Sequence, residues 1–133
     1  MDVAKMESMK QAFQTEANAY KQLQADVAKN HTARQQFIQQ QQENDMVLKE
    51  LEMLEEDANV YKLIGPALVK QDPVEAKSNV SKRLEFIRGE LGRLDSQLKN
   101  YEEKQQKKGQ QLAKMQTDIQ ALTQSAASAV AQA

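Results

Sequence analysis

The sequence contains no cysteine and no tryptophan, and it has only two prolines and four glycines among its 133 residues. Without cysteine the chain can form neither a disulfide framework nor a thiolate metal site. Only 5% of the residues are aromatic, and the apolar residues recur along seams instead of clustering. This composition is typical of long helices and coiled coils, so we expect a mostly α-helical chain without an ordinary globular core.

The chain also lacks an excess of charge of one sign. Charged residues make up 28% of it, yet the formal net charge is −1, so the two signs are interspersed. An overall basic excess, which would favour nucleic-acid binding, is absent. Two short basic stretches, Lys82-Arg83 and the lysines at 104, 107 and 108, have acidic neighbours. Solvated helix faces explain them better than a nucleic-acid site does.

Long apolar runs are missing as well. No run approaches the ~20 residues that span a bilayer, and the N-terminal residues lack the apolar region of a secretory signal. A helix lying on a membrane surface would need a basic polar face, and neither predicted helix is clearly basic. We therefore expect a cytoplasmic protein with no membrane partner.

One segment, residues 59–70 (NVYKLIGPALVK), lacks a helical pattern. The β-branched and aromatic residues on either side of Gly65-Pro66 predict two short strands in a β-hairpin. Because side chains alternate along a strand, apolar residues are expected on both faces. An isolated two-stranded hairpin is marginal in water, and its edges invite other strands. We therefore predict an obligate oligomer in which hairpins of other chains complete the sheet. The residues expected to make this contact, which we name the hairpin surface, are Val60, Tyr61, Leu63, Ile64, Leu68 and Val69.

Heptad repeats on both sides of the hairpin predict two long helices. Helix 1 is expected over about residues 3–55, with Asp2 as a candidate N-cap. Its seam is apolar at both ends and polar in the middle, and polar seam residues lower stability but fix register. The polar seam positions in the middle are Asn30, Arg34, Gln41 and Asn44, and Glu16 stands at a d position nearer the start of the helix.

Helix 2 is expected over about residues 73–123. Asp72 can cap it, Pro73 suits its first position, and Glu75 stands at the capping-box distance. From Leu84 onwards ten of twelve seam positions are apolar, which is a strong coiled-coil signal. These a and d positions are Leu84, Ile87, Leu91, Leu94, Leu98, Tyr101, Gln105, Lys108, Leu112, Met115, Ile119 and Leu122. Residues 124–133 are small and featureless, and we expect a flexible tail there.

The hairpin turns the chain back on itself, so the two helices are predicted to form an antiparallel coiled coil within one chain. This pairing brings apolar residues from both ends of the chain together. We name them the terminal cluster: Met6, Met9, Phe13, Met115, Ile119 and Leu122. Two interpretations remain open. The cluster closes the coiled-coil seam, or the helix ends splay and expose an adaptable apolar surface that binds varied partners.

Catalysis has little support in the sequence. The only histidine, His31, is expected to be a solvated residue of helix 1, and no P-loop is present. Two paired helices offer no concave pocket in which a reacting group could be desolvated. We therefore predict that the chain is not an enzyme, binds no metal and needs no cofactor.

Residues 59–87, NVYKLIGPALVKQDPVEAKSNVSKRLEFI, resemble the central signature of a β-class prefoldin subunit. The likeness is carried by the run from Val60 to Pro66, by Leu68 to Gln71, by Glu75-Ala76 and by Lys82-Arg83-Leu84. Subunits of this class have one hairpin, and this chain has room for one. The resemblance implies a fold in which hairpins of several chains assemble into a β-barrel body from which coiled coils project.

The same resemblance implies a hexamer of two α-class and four β-class subunits. Its coiled-coil tips would capture unfolded polypeptides, in eukaryotes especially actin and tubulin, and deliver them to the cytosolic chaperonin without hydrolysing ATP. The resemblance thus implies a chaperone subunit, with the terminal cluster as the expected substrate-binding surface. The alternative is a structural coiled-coil adaptor in a hetero-oligomeric complex, without holdase activity.

Overall fold

The computed structural model describes residues 3–132, so the candidate cap Asp2 lies outside the described part of the chain. Its elements are helix α1 (Val3–Glu52), strands β1 (Val60–Ile64) and β2 (Ala67–Gln71), and helix α2 (Pro73–Gln132). Two long helices joined by a hairpin are what the sequence pattern predicts. The chain divides into two compact units. The first contains the residues up to Asn30 and those from Gln97 onwards, and the second contains His31–Ser96.

Helix α1 ends at Glu52, earlier than the predicted boundary near residue 55. Its last turn tightens, because the amide of Met53 donates to the carbonyls of both Lys49 (3.2 Å) and Glu50 (3.3 Å). The following residues Glu55, Glu56 and Asp57 are acidic, and negative charge is unfavourable at the carbonyl end of a helix dipole. The helical pattern therefore continues further in the sequence than the helix itself does.

The hairpin lies within one residue of its predicted bounds. Strands β1 and β2 pair antiparallel, with Ile64 opposite Ala67 at the turn and Val60 opposite Gln71 at the open end. The two residues of the turn are Gly65 and Pro66, and Gly65 has a φ of 57°. A glycine at the first position of a two-residue loop permits this left-handed conformation, which matches the twist of the strands.

Helix α2 begins as predicted. The side-chain oxygen Oδ1 of Asp72 accepts a hydrogen bond from the amide of Val74 (3.0 Å), and the carbonyl of Asp72 accepts one from Ala76 (2.9 Å). Asp72 is therefore the N-cap.

The other end of α2 differs from the prediction, because the helix continues to Gln132 where a flexible tail over 124–133 was expected. Residues 124–132 are rich in alanine, the strongest helix former, and contain no glycine or proline. The absence of apolar seam residues removes packing partners from this segment, but it does not remove its helix propensity.

The seam between the helices follows the predicted heptad frame. In the second unit the innermost residues are Leu84 and Ile87, each only 1% exposed, and Leu51, Ala76 and Leu94 are also buried. All twelve predicted seam positions of helix 2 are buried or half-buried. Among the described residues, Asn30 is the only buried polar one.

Contacts across the seam show that the helices run antiparallel in each unit. In the second unit Arg34 Nε lies 2.9 Å from Asp95 Oδ1, and the rings of Phe37 and Phe86 meet edge to face with centroids 6.5 Å apart. In the first unit Glu16 forms an ion pair with Lys108, and Met9, nearer the start of α1, shares a groove with Met115 and Ile119, further along α2.

Candidate functional site

The hairpin surface carries apolar side chains on both faces. Residues that pair directly across antiparallel strands share a face. The register therefore places Tyr61, Leu63 and Leu68 on one face, and Val60, Ile64 and Val69 on the other. The alternation expected from the sequence is confirmed.

These apolar side chains are largely in contact with solvent. Leu63 and Leu68, which lie opposite each other, are 68% and 69% exposed, and Tyr61, Ile64 and Val69 are also exposed. Fully burying a side chain of this size is worth roughly 1.5–3 kcal/mol. A contiguous exposed apolar patch on a single chain is typical of a protein interaction site.

Helix residues lie beside one part of the hairpin. A groove of about 260 Å³ lies between these helix residues and the hairpin. Its apolar lining comprises Val47 and Leu51 of α1, Val60, Tyr61 and Leu63 of the hairpin, and Ala76 and Val80 of α2.

Sequence reasoning missed further exposed apolar residues in the second unit. Val74 and Phe86 of α2 are 71% and 62% exposed, although neither was assigned to a surface. Met53, just beyond α1, is also exposed. The available signal was their position outside the heptad seam, because such residues keep most of their surface in solvent even where, as with Phe86, the ring touches a seam residue of the facing helix.

The terminal cluster belongs to the first unit, where the structure brings its members from the two helices together. Met9, Met115 and Ile119 line one groove, together with Ala12 and Asp118. Ile119 also lines a second groove with Phe13, and Met9 lines a third with Leu122. Met6 lines none of these three grooves, but it too lies on the seam.

All six residues of the terminal cluster are half-buried. Each therefore contributes to closing the seam and also presents part of its surface to solvent. The rims of the grooves carry Lys10, Gln14, Gln116, Gln120 and Asp118, a mixed set without a dominant charge. Shallow apolar strips with such rims suit contact with apolar polypeptide segments of varied sequence, because methionine adapts its shape to its partner.

Chemistry-bearing groups are sparse in the described part of the chain. His31 is exposed on α1. Within residues 3–132, no three histidine, aspartate or glutamate residues are grouped so that they could hold a metal ion. No helix in the same range combines the length and apolar character required to cross a bilayer.

Comparisons with known proteins agree with the hairpin and the paired helices. A family model described as prefoldin subunit matches residues 14–126. Prefoldin subunit 6 of Arabidopsis thaliana is 47% identical over 122 residues, which cover 92% of this chain and 95% of the relative. Prefoldin subunit 6 of Homo sapiens is 39% identical over 114 residues, covering 86% of this chain and 88% of the relative.

A solved structure has the same fold. The crystal structure of the prefoldin beta subunit from Thermococcus strain KS-1 superposes with a TM-score of 0.64 at 24% identity, covering 84% of this chain and 91% of that one. Prefoldin subunits are non-enzymatic chaperone components, in agreement with the prediction that the chain is not an enzyme. The resemblance seen in residues 59–87 is thereby confirmed, and the chain belongs to the prefoldin family as a chaperone subunit.

Proposed function

We propose that this chain is a β-class subunit of a cytoplasmic prefoldin hexamer with two α-class and four β-class subunits. The hexamer captures unfolded polypeptides, such as actin and tubulin, with the terminal clusters of its coiled coils. It then delivers them to the cytosolic chaperonin without using ATP. The chaperone role comes from family membership, whereas the subunit count, the clients, the transfer and the compartment are proposals.

The proposed assembly with other subunits rests on one observation, which is the exposure of the hairpin surface. Five of its six residues are exposed, on both faces of a sheet that has only two strands. Both strands are therefore edge strands, with backbone groups free to pair further. Hairpins from other prefoldin subunits supply both missing partners, because each adds strands at an edge and apolar side chains against a face. The hairpin surface is thus the proposed contact with the other subunits.

Client capture is proposed for the terminal cluster because of its half-buried, methionine-containing grooves. One such shallow site binds weakly. Several sites on one hexamer raise the effective concentration of each for a client that is already held, so the whole complex binds far more tightly than one chain does. Because each individual contact dissociates readily, a client can pass to a chaperonin without nucleotide hydrolysis.

A structural adaptor without holdase activity is the second candidate. The half-burial of all six terminal-cluster residues favours it, since residues that only close a seam have the same environment. The two candidates differ in one measurable property, because an adaptor does not protect an unfolded polypeptide from aggregation.

The test measures light scattering while chemically unfolded actin is diluted into buffer that contains the assembled complex. We expect Met6→Asp and Met115→Asp to weaken the suppression of aggregation severalfold, because an apolar client segment that covers a carboxylate must remove it from water without a compensating partner. Both variants should still form the hexamer in native mass spectrometry. Transfer is measured separately, by following labelled actin from the complex to added chaperonin without ATP.

Met46→Asp is the matched control. Met46 is 63% exposed and belongs to the second unit, outside the terminal cluster, so the same substitution there should leave the suppression unchanged. Loss of the hexamer in the Met6 or Met115 variant would assign that residue to the structural seam. Equal suppression by all three variants would refute the client role and support the adaptor.

A further inference from the structure

A pair of opposite charges interrupts the apolar seam of the first unit. Glu16 and Lys108 form an ion pair between α1 and α2. Both occupy d positions of their heptads, which apolar residues normally fill. Their side chains are only 24% and 30% exposed, so most of the surface of both side chains is withdrawn from water.

The neighbouring part of α2 is equally poor in apolar seam contacts. Gln105 occupies the preceding a position. Gly109 faces the ring of Tyr20, and a methyl group at Gly109 would lie 3.9 Å from Cε2 of that ring. Glycine also weakens a helix interior relative to alanine. Residues 105–109 of α2 therefore contribute no apolar side chain to the seam.

Beyond this point the seam is apolar again, and it contains Leu112 and the terminal cluster. All of these residues are half-buried. Native proteins open locally in cooperative units, and such units end where contacts are weak. A half-buried apolar segment bounded by a polar layer has the features of such a unit.

We propose that the terminal part of the helix pair opens as one unit, up to the Glu16–Lys108 pair, and that this opening exposes the terminal cluster to unfolded polypeptide. The inference rests on the proposed client role of that cluster. Methionine-rich seams can close in more than one register, whereas the two opposite charges at d positions meet in only one. The pair therefore weakens the closed state and also returns the helices to the correct register when they close.

Hydrogen exchange of the assembled complex tests the inference without any client. The double variant Glu16→Leu with Lys108→Leu makes the seam continuously apolar, and apolar replacement of a withdrawn ion pair is often stabilising. We expect amide exchange in residues 5–14 and 110–122 to slow about tenfold, and capture of unfolded actin to weaken. The single variant Lys108→Glu places two negative charges together, and exchange in the same residues should accelerate about tenfold.

Two controls separate the pair from general effects of substitution. The swapped variant Glu16→Lys with Lys108→Glu restores opposite charges and should return exchange to the wild-type rate. The variant Arg34→Leu with Asp95→Leu removes the ion pair of the second unit and should leave exchange of the terminal residues unchanged. If the leucine double variant does not assemble, the inference is tested by comparing terminal amide exchange in Lys108→Glu, where it should be faster, with the swapped variant, where it should be at the wild-type rate.

Unchanged terminal exchange in both the leucine variant and Lys108→Glu would overturn the inference. Slower exchange with undiminished actin capture would overturn the link between opening and capture. The Met6→Asp variant then distinguishes the two proposals. If it still weakens capture, the client role of the terminal cluster stands although opening does not control it.

Discussion

Individual leucines of this chain occupy opposite environments. Leu84 is 1% exposed in the seam of the second unit, whereas Leu68 on the hairpin is 69% exposed. The difference follows from the partners that one chain can provide. A heptad leucine meets the facing helix of its own chain, but a side chain on a two-stranded sheet has no second layer to cover it.

Replacement of Leu84 should therefore be costly even in a single chain. We expect Leu84→Ala to lower the free energy of unfolding by about 2–5 kcal/mol, because it removes buried apolar atoms and leaves a cavity. Glu85→Ala, at the adjacent exposed position, should change it by about 0.5 kcal/mol or less. Urea denaturation at a fixed protein concentration measures both. Similar midpoints for the two variants would contradict the assignment of Leu84 to the core.

The hairpin is the element on which assembly depends in this proposal. Its turn is specified locally by Gly65 and Pro66, and its strands present apolar residues to both sides. The helices differ from it, since each buries its apolar stripe against the other within the same chain. The hairpin therefore keeps most of its apolar surface uncovered when the helices have paired.

A carboxylate on the hairpin surface should block assembly. We expect Tyr61→Asp and Leu63→Asp to prevent hexamer formation, because burying an unpaired charge between subunits is strongly unfavourable. Lys70→Asp is the control, since Lys70 pairs with Tyr61 on the same face and that position is already charged and exposed. Size-exclusion chromatography of the reconstituted complex reports the outcome. A Tyr61 or Leu63 variant that elutes at hexamer size would contradict the proposed interface.

At the scale of the whole molecule, folding and assembly are expected to be linked. The long helices bury few residues completely, and Leu51, Ala76, Leu84, Ile87 and Leu94 are the buried apolar ones in the described chain. So small a core makes only a modest contribution to stability. Partner subunits that cover the hairpin add stability through mass action, since they bind the folded chain and not the unfolded one.

This linkage predicts that stability depends on concentration. The midpoint of thermal unfolding of the complex, followed by circular dichroism at 222 nm, should rise by several degrees over about a hundredfold increase in protein concentration. This effect requires partner subunits that cover the hairpin. The Tyr61→Asp chain is not expected to assemble, so its midpoint of thermal unfolding should be independent of concentration. A wild-type midpoint that does not change with concentration would argue against obligate assembly.

The sequence by itself determined the features that depend on neighbouring residues. Heptad spacing identified the seam from Leu84 to Leu122, Asp72 was recognisable as a helix cap, and Gly65-Pro66 marked the turn. These signals are local, because helix and strand periods, capping bonds and turn conformations involve residues only a few positions apart. The composition of the hairpin also indicated which side chains would be exposed.

Only the tertiary structure decided which residues meet across the seam. A heptad places Glu16 and Lys108 on facing stripes, but it does not say that they pair with each other, nor that Phe37 meets Phe86. Those contacts depend on the axial shift between two helices that are far apart in sequence. The ends of the helices were decided similarly, since α1 stops at Glu52 and α2 continues to Gln132. The apolar repeat does not specify these boundaries. The end of α1 is set by the acidic residues that follow it, and the end of α2 by the helix propensity of its last residues.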